Sequence, residues 1–186
     1  MKRPSLAFLA FGLALASAGF GEDLVSWGRA SDGLQIGIGL SSDPQGTSAR
    51  ILFKNGGTTY RWLLVALLIG GDEPVSRVGL TAISPNGSEF EAYSALLERP
   101  LAGRILPVEI GLGFGETHET HIPLKDFFCV LNGERIPLTG LLQRGYSIRA
   151  TLSTRPEMLT ELGHPETPQF QPWFGTLVSG DLSSAK

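Results

Sequence analysis

A single cysteine among 186 residues excludes an internal disulfide, so a stable fold must rest on its packed core. Charge is scarce too. Lys and Arg number 15 against 18 Asp and Glu, a net charge of −3, and the basic residues form no cluster. Such a surface repels phosphate backbones, which disfavours nucleic-acid binding. Long apolar runs are also missing. A spanning helix takes about 20 apolar residues, and the two longest stretches, 6–16 and 62–70, fall short of that. Strand and helix patterns do not alternate, which argues against a parallel βαβ sheet.

What the chain does have is apolar residues, at 42%, and frequent punctuation by 24 glycines and 12 prolines. The apolar content argues against disorder. The punctuation favours short strands joined by turns, an all-β domain.

The first residues are basic, at Lys2 and Arg3. An apolar run over 6–16 follows, then Ala16-Ser17-Ala18. A charged start, a short apolar stretch and a small-x-small site predict a signal peptide over 1–18. The mature domain is then 19–186, more acidic for the loss of Lys2 and Arg3, and exported to the periplasm or the medium. No cysteine follows the apolar run, which argues against a lipid anchor.

Period-two alternation predicts a strand at Leu34, Ile36, Ile38 and Leu40, followed by a second over 49–53. Asn55-Gly56-Gly57 predicts a tight reversal with positive φ angles. Residues 60–69 are apolar on both faces, the pattern of a central strand covered on both sides, with Trp62 in the core. Further strands are expected over 78–83, 104–112, 116–124, 127–131, 145–152 and 173–180. Turns are expected at Ser84-Pro85-Asn86-Gly87, Gly113-Phe114-Gly115 and Asn132-Gly133. Residues 88–93 fit either a strand or a short helix, because Ser88 and Glu91 form a capping-box pattern. The proline-rich stretch 155–172 is an insert, with Thr154, Pro156 and Glu157 able to start a short helix before the last strand. Eight to ten short strands with regular turns predict an antiparallel β-sandwich or barrel in one domain.

Two local features match the immunoglobulin-like form of the sandwich. Trp62 follows the first long hairpin, and Gly145-Tyr146-Ser147-Ile148-Arg149-Ala150 sits where such domains start their penultimate strand. The order of Trp27-Gly28, Asp32-Gly33-Leu34-Gln35, Leu52-Phe53-Lys54-Asn55-Gly56-Gly57, Ser84-Pro85-Asn86-Gly87, Ile122-Pro123-Leu124, Gly145-Tyr146-Ser147-Ile148-Arg149-Ala150 and Trp173-Phe174-Gly175-Thr176-Leu177-Val178-Ser179 resembles a family of uncharacterised exported bacterial proteins. That family is built on an immunoglobulin-like β-sandwich. The resemblance implies export and fold, and it brings no catalytic residues with it. A weaker similarity runs to small bacterial proteinase-inhibitor domains of the same architecture.

Glu116-Thr117-His118-Glu119-Thr120-His121 is the segment richest in metal-ligand residue types. In a strand, His118 and His121 point to opposite faces, so they do not share an ion; a metal site there would need a helix. No Gly-x-Ser-x-Gly elbow marks a hydrolase. Ile36-Gly37-Ile38-Gly39 and Gly111-Leu112-Gly113-Phe114-Gly115 open no helix and are not dinucleotide fingerprints; their glycines suit close packing. Cys129, between Phe128 and Val130, is expected to be buried and inert. Trp27 and Trp173 lie on the first and last strands, which often approach one another. With Phe174 and Phe170 they form either a latch joining the chain ends or an aromatic platform for a partner.

The expectation is therefore a non-enzymatic binding or interaction module with no cofactor. Its partner would be an envelope or extracellular protein or glycan, met through end loops, the insert or an edge strand. The alternatives are a protease-inhibitor-like domain, or a metal-dependent hydrolase using His118 and His121.

Overall fold

The computed structural model describes residues 24–69, 74–95, 105–155 and 172–183. The signal segment 1–18, Phe170 and all but the two ends of the 155–172 insert lie outside them. The described chain is all-β, with antiparallel sheets, one 3-10 turn and one short helix.

The strands run β1 (Ser26–Trp27), β2 (Leu34–Asp43), β3 (Gly46–Asn55), β4 (Arg61–Ile69), β5 (Pro74–Ser76), β6 (Val78–Ile83) and β7 (Glu89–Ser94). They continue with β8 (Ile105–Leu112), β9 (Thr117–Pro123), β10 (Phe127–Leu131) and β11 (Glu134–Pro137). After α1 (Leu138–Gln143) come β12 (Ser147–Thr154), β13 (Gly175–Val178) and β14 (Leu182–Ser183). A four-stranded sheet has the order β1-β2-β3-β9, and a three-stranded sheet the order β5-β4-β8. The seven-stranded sheet is ordered β11-β10-β7-β6-β12-β13, with β14 also pairing to β12.

The alternation seen in sequence decides what is buried. Leu34, Ile36 and Ile38 of β2, Ala49, Ile51 and Phe53 of β3, and Ile148, Ala150 and Leu152 of β12 join one core cluster. Leu63 and Val65 of β4 enter the same cluster, so all three sheets contribute to one core. Four consecutive β4 residues, Leu63, Leu64, Val65 and Ala66, are buried, as a strand covered on both sides requires.

Among the described residues fourteen strands replace the expected eight to ten, because β1, β5, β11 and β14 are two to four residues long and too short to show a period. Residues 88–93 resolve as β7 rather than a helix, paired to β6 from Ile83↔Glu89 to Leu80↔Ala92. Helix α1 was not anticipated; Leu138, Leu141 and Leu142 have helical spacing and are buried on one side.

Asn55-Gly56-Gly57 is not a tight hairpin. Neither glycine has positive φ, and the connection carries the chain from the four-stranded to the three-stranded sheet. The segment between β8 and β9 makes the reverse crossing. Fully buried Asn55 ties the two crossings together. Its Nδ2 donates to Thr59 O at 2.8 Å and Leu112 O at 3.0 Å, while its Oδ1 accepts from Gly57 N at 3.0 Å. Its backbone bonds Glu116 O and Gly115 N, at 3.0 and 2.7 Å. Hairpin turns form as expected at Gly87 and at Asn132-Gly133, and φ is positive there.

Trp62 is only half-buried and packs against Tyr60, ring centroids 5.3 Å apart and planes tilted by 60°, so it does not occupy the core position expected of it. Trp173 is the tryptophan in the core cluster.

Candidate functional site

No ring contact joins Trp27, Trp173 and Phe174 to one another among the described residues. Trp173 is 6% exposed, with its N–H on Trp62 O at 2.7 Å and its ring packed over Gly175. It has no free face for a ligand. Trp27 is 38% exposed and lies over Gly37, where even a methyl group would meet its ring at 2.8 Å. That contact explains the glycine in the middle of β2. Phe174 is partly exposed, and no ring contact joins it to Trp27 among the described residues. The chain ends do meet: Ser26 Oγ donates to Asp181 O at 2.9 Å, and Gly28 packs on the Val178 carbonyl.

The histidine segment is strand β9. Glu119 and His121 share a face, with His121 Nε2 2.9 Å from Glu119 Oε1. The same carboxylate takes two bonds from Arg50, at 2.8 and 3.0 Å, which hold it below the ordinary glutamate range. His118 falls on the opposite face by strand alternation. No cluster of three or more metal-ligating side chains occurs among the described residues. Cys129 is buried beside the Phe90 carbonyl, and burial pushes its thiol up to about 11. It therefore stays a neutral thiol at physiological pH.

A different place has the geometry of a binding site. The β6–β7 ladder ends at Leu80↔Ala92. Beyond that pair, Val78 and Gly79 bond to β12, while Tyr93 and Ser94 bond to β10. The two strands part company, and a cleft of about 520 Å³ opens there. Val78, Ala92, Ile122 and Phe127 give it an apolar floor. One wall is aromatic: Tyr93, 48% exposed, lies 6.1 Å from Phe128. The Arg135 guanidinium sits 4.7 Å above the Phe128 ring. The rim is polar, with Arg77, Glu91, Asp126 and His121 around the mouth.

Local sequence accounts for each part. Glu89, Glu91 and Tyr93 alternate with Phe90 and Ala92, so β7 turns its polar residues and one ring outward. Phe128 and Val130 do the same on β10, around buried Phe127 and Cys129. At the free edge of β6, the Val78 N–H is capped by Ser76 Oγ at 3.0 Å, so the parted strand does not expose that donor. A second hollow, lined by Thr81, Glu89, Thr151, Ser153 and Arg155, adjoins the cleft; Arg77, Gly79 and Glu91 line both.

Sequence reasoning passed over this site because residues 88–93 had two secondary-structure readings, and a face cannot be assigned before the period is known. The available signal was the exposed ring of Tyr93 on an alternating strand. An apolar floor with a ringed wall and a charged rim suits recognition: the floor desolvates an apolar group, and the rim orients what carries it.

No family model, curated protein or solved structure matches this chain.

Proposed function

We propose that this chain is an exported, non-enzymatic binding module with an immunoglobulin-like β-sandwich fold, and that the cleft between β6 and β7 is its binding site. Export rests on the charged, apolar and small-residue segments of 1–18. The sandwich reading is supported by the core shared between the inward faces of the four- and seven-stranded antiparallel sheets. The observation that carries the function is the parting of the β6–β7 ladder over an apolar floor, beside the exposed Tyr93 and the Phe128–Arg135 stack. The exposed Tyr93 ring at the wall of the cleft supports the reading, since an aromatic side chain there offers contact area to an incoming group. The partner is an envelope or extracellular molecule.

The test is recovery of a partner from the envelope of the native host, using tagged wild-type protein and the Tyr93→Ser, Phe128→Ser double variant. Expected is a stoichiometric partner held by the wild type and lost from a variant that still folds. Undiminished capture by the variant would move the site elsewhere. Slowing of a protease by the pure protein would favour the inhibitor-like reading instead.

A further inference from the structure

The described carboxylates fall into two groups. Asp32, Glu89, Glu116, Glu119 and Asp181 are each tied down, by Arg61, Arg149, the Gly113 N–H, Arg50 and Arg149 in turn. Glu91 and Asp126 take no hydrogen bond or ion pair among the described residues, and both line the cleft. Glu109 and Glu134 are unpaired too, so that freedom alone marks nothing. Place does. Glu91 shares a β7 face with Tyr93, and Asp126 ends the 3-10 turn Leu124–Asp126 just before Phe127 and Phe128.

The basic groups around the same mouth are occupied. Arg135 lies over the Phe128 ring at 4.7 Å, Arg77 reaches the Ser153 carbonyl at 3.5 Å, and His121 Nε2 is 2.9 Å from Glu119. The open hydrogen-bonding capacity among the charged rim groups is therefore that of acceptors. A ligand covering the cleft takes water from Glu91 and Asp126 and must return donors, best as charge-assisted bonds. The floor of Val78, Ala92, Ile122 and Phe127 asks for the opposite, an apolar group. A sugar supplies donors, yet its other hydroxyls would lose their bonds against that floor. A phosphate-bearing headgroup would set negative charge against both carboxylates.

We infer, resting on the reading of this cleft as a binding site, that its ligand is a basic polypeptide segment. A branched or aromatic side chain of that segment fills the gap between β6 and β7 beside Tyr93. A lysine or arginine close to it in sequence meets Glu91 and Asp126. The apolar anchor supplies affinity, and the paired charges fix register and exclude acidic partners.

The experiment pans a phage-displayed random dodecapeptide library on the folded protein. Synthetic versions of enriched peptides are then measured on wild type, on the Glu91→Gln, Asp126→Asn double variant and on Glu109→Gln as control. Expected is a consensus of one bulky apolar residue with Lys or Arg nearby. The double variant should bind these peptides about tenfold more weakly or worse, against less than about twofold for Glu109→Gln. Neither change in the pair removes a bond among the described residues, so the melting temperature should hold. Exchanging the peptide's basic residue for norleucine should weaken binding to wild type and cost the double variant nothing further. Enriched peptides without a basic residue, or held equally by the double variant, would overturn the inference. If those peptides are still lost with Tyr93→Ser, Phe128→Ser, the cleft stands and only its basic ligand falls. Glycan-array binding or self-association abolished by the double variant would likewise refute a foreign peptide while keeping the cleft. A protein that binds nothing sensitive to either pair of changes would count against both.

Discussion

At the scale of the residue, Asn55 and Gly79 bear on stability in opposite directions. Asn55 is buried and has both amide protons and its carbonyl in use, so its replacement strands three backbone partners at once. Asn55→Ala is expected to cost about 3 kcal/mol, measurable by urea unfolding. Gly79 works the other way. Gly79→Val should raise stability by about 0.5–1 kcal/mol, because the strand gains a β-branched side chain with room for it. Cys129 provides a pH test. Its folded value is raised to about 11 from an ordinary 9.0, so the neutral buried thiol favours folding fully below pH 9. That contribution is lost as pH rises from 9 to 11, by at most roughly 2 kcal/mol. Unfolding midpoints at pH 8 and 10.5 should therefore converge between wild type and Cys129→Ala. A pH-independent gap would show that the thiol is not buried.

At the scale of the element, the legible strands were those long enough to show their period. Leu34, Ile36 and Ile38 declared β2, and Ile148, Ala150 and Leu152 declared β12, because each alternation maps directly onto burial. Turns built on positive φ, at Gly87 and Asn132-Gly133, were legible for the same local reason. The Asn55-Gly56-Gly57 crossing was not. Its conformation is set by bonds to Leu112 and Glu116, nearly sixty residues away, which no local pattern encodes. Helix α1 escaped because six residues give fewer than two turns of period. The exchange between Trp62 and Trp173 has the same origin: which tryptophan goes inside depends on sheet packing, not on its neighbours in sequence. Trp173→Ala is expected to lower stability by about 3–5 kcal/mol, since it empties a core position. The Arg149 network with Glu89 and Asp181 is half in solvent, so Arg149→Met should cost no more than about 1 kcal/mol. Thermal melts of the two variants side by side would rank them.

At the scale of the whole molecule, the candidate site is a discontinuity in a sheet. Past the Leu80↔Ala92 pair β6 stays bonded to β12 while β7 bonds to β10, and a cleft opens between them over the buried side chains of Val78, Ala92, Ile122 and Phe127. The fold class followed from composition and alternation. The site did not, because it is made where two ladders diverge, and divergence is a property of pairing. The aromatic residues that drew attention in sequence, Trp27 and Trp173, instead pack over glycines near the two chain ends. The most direct test places a photoreactive benzoylphenylalanine at position 93, beside the cleft, and separately at exposed position 60 as a control, in the native host. Cross-linking to one envelope partner from position 93 and none from position 60 is the expected result. A partner captured equally from both positions, or from position 60 alone, would contradict the placement of the binding site between β6 and β7.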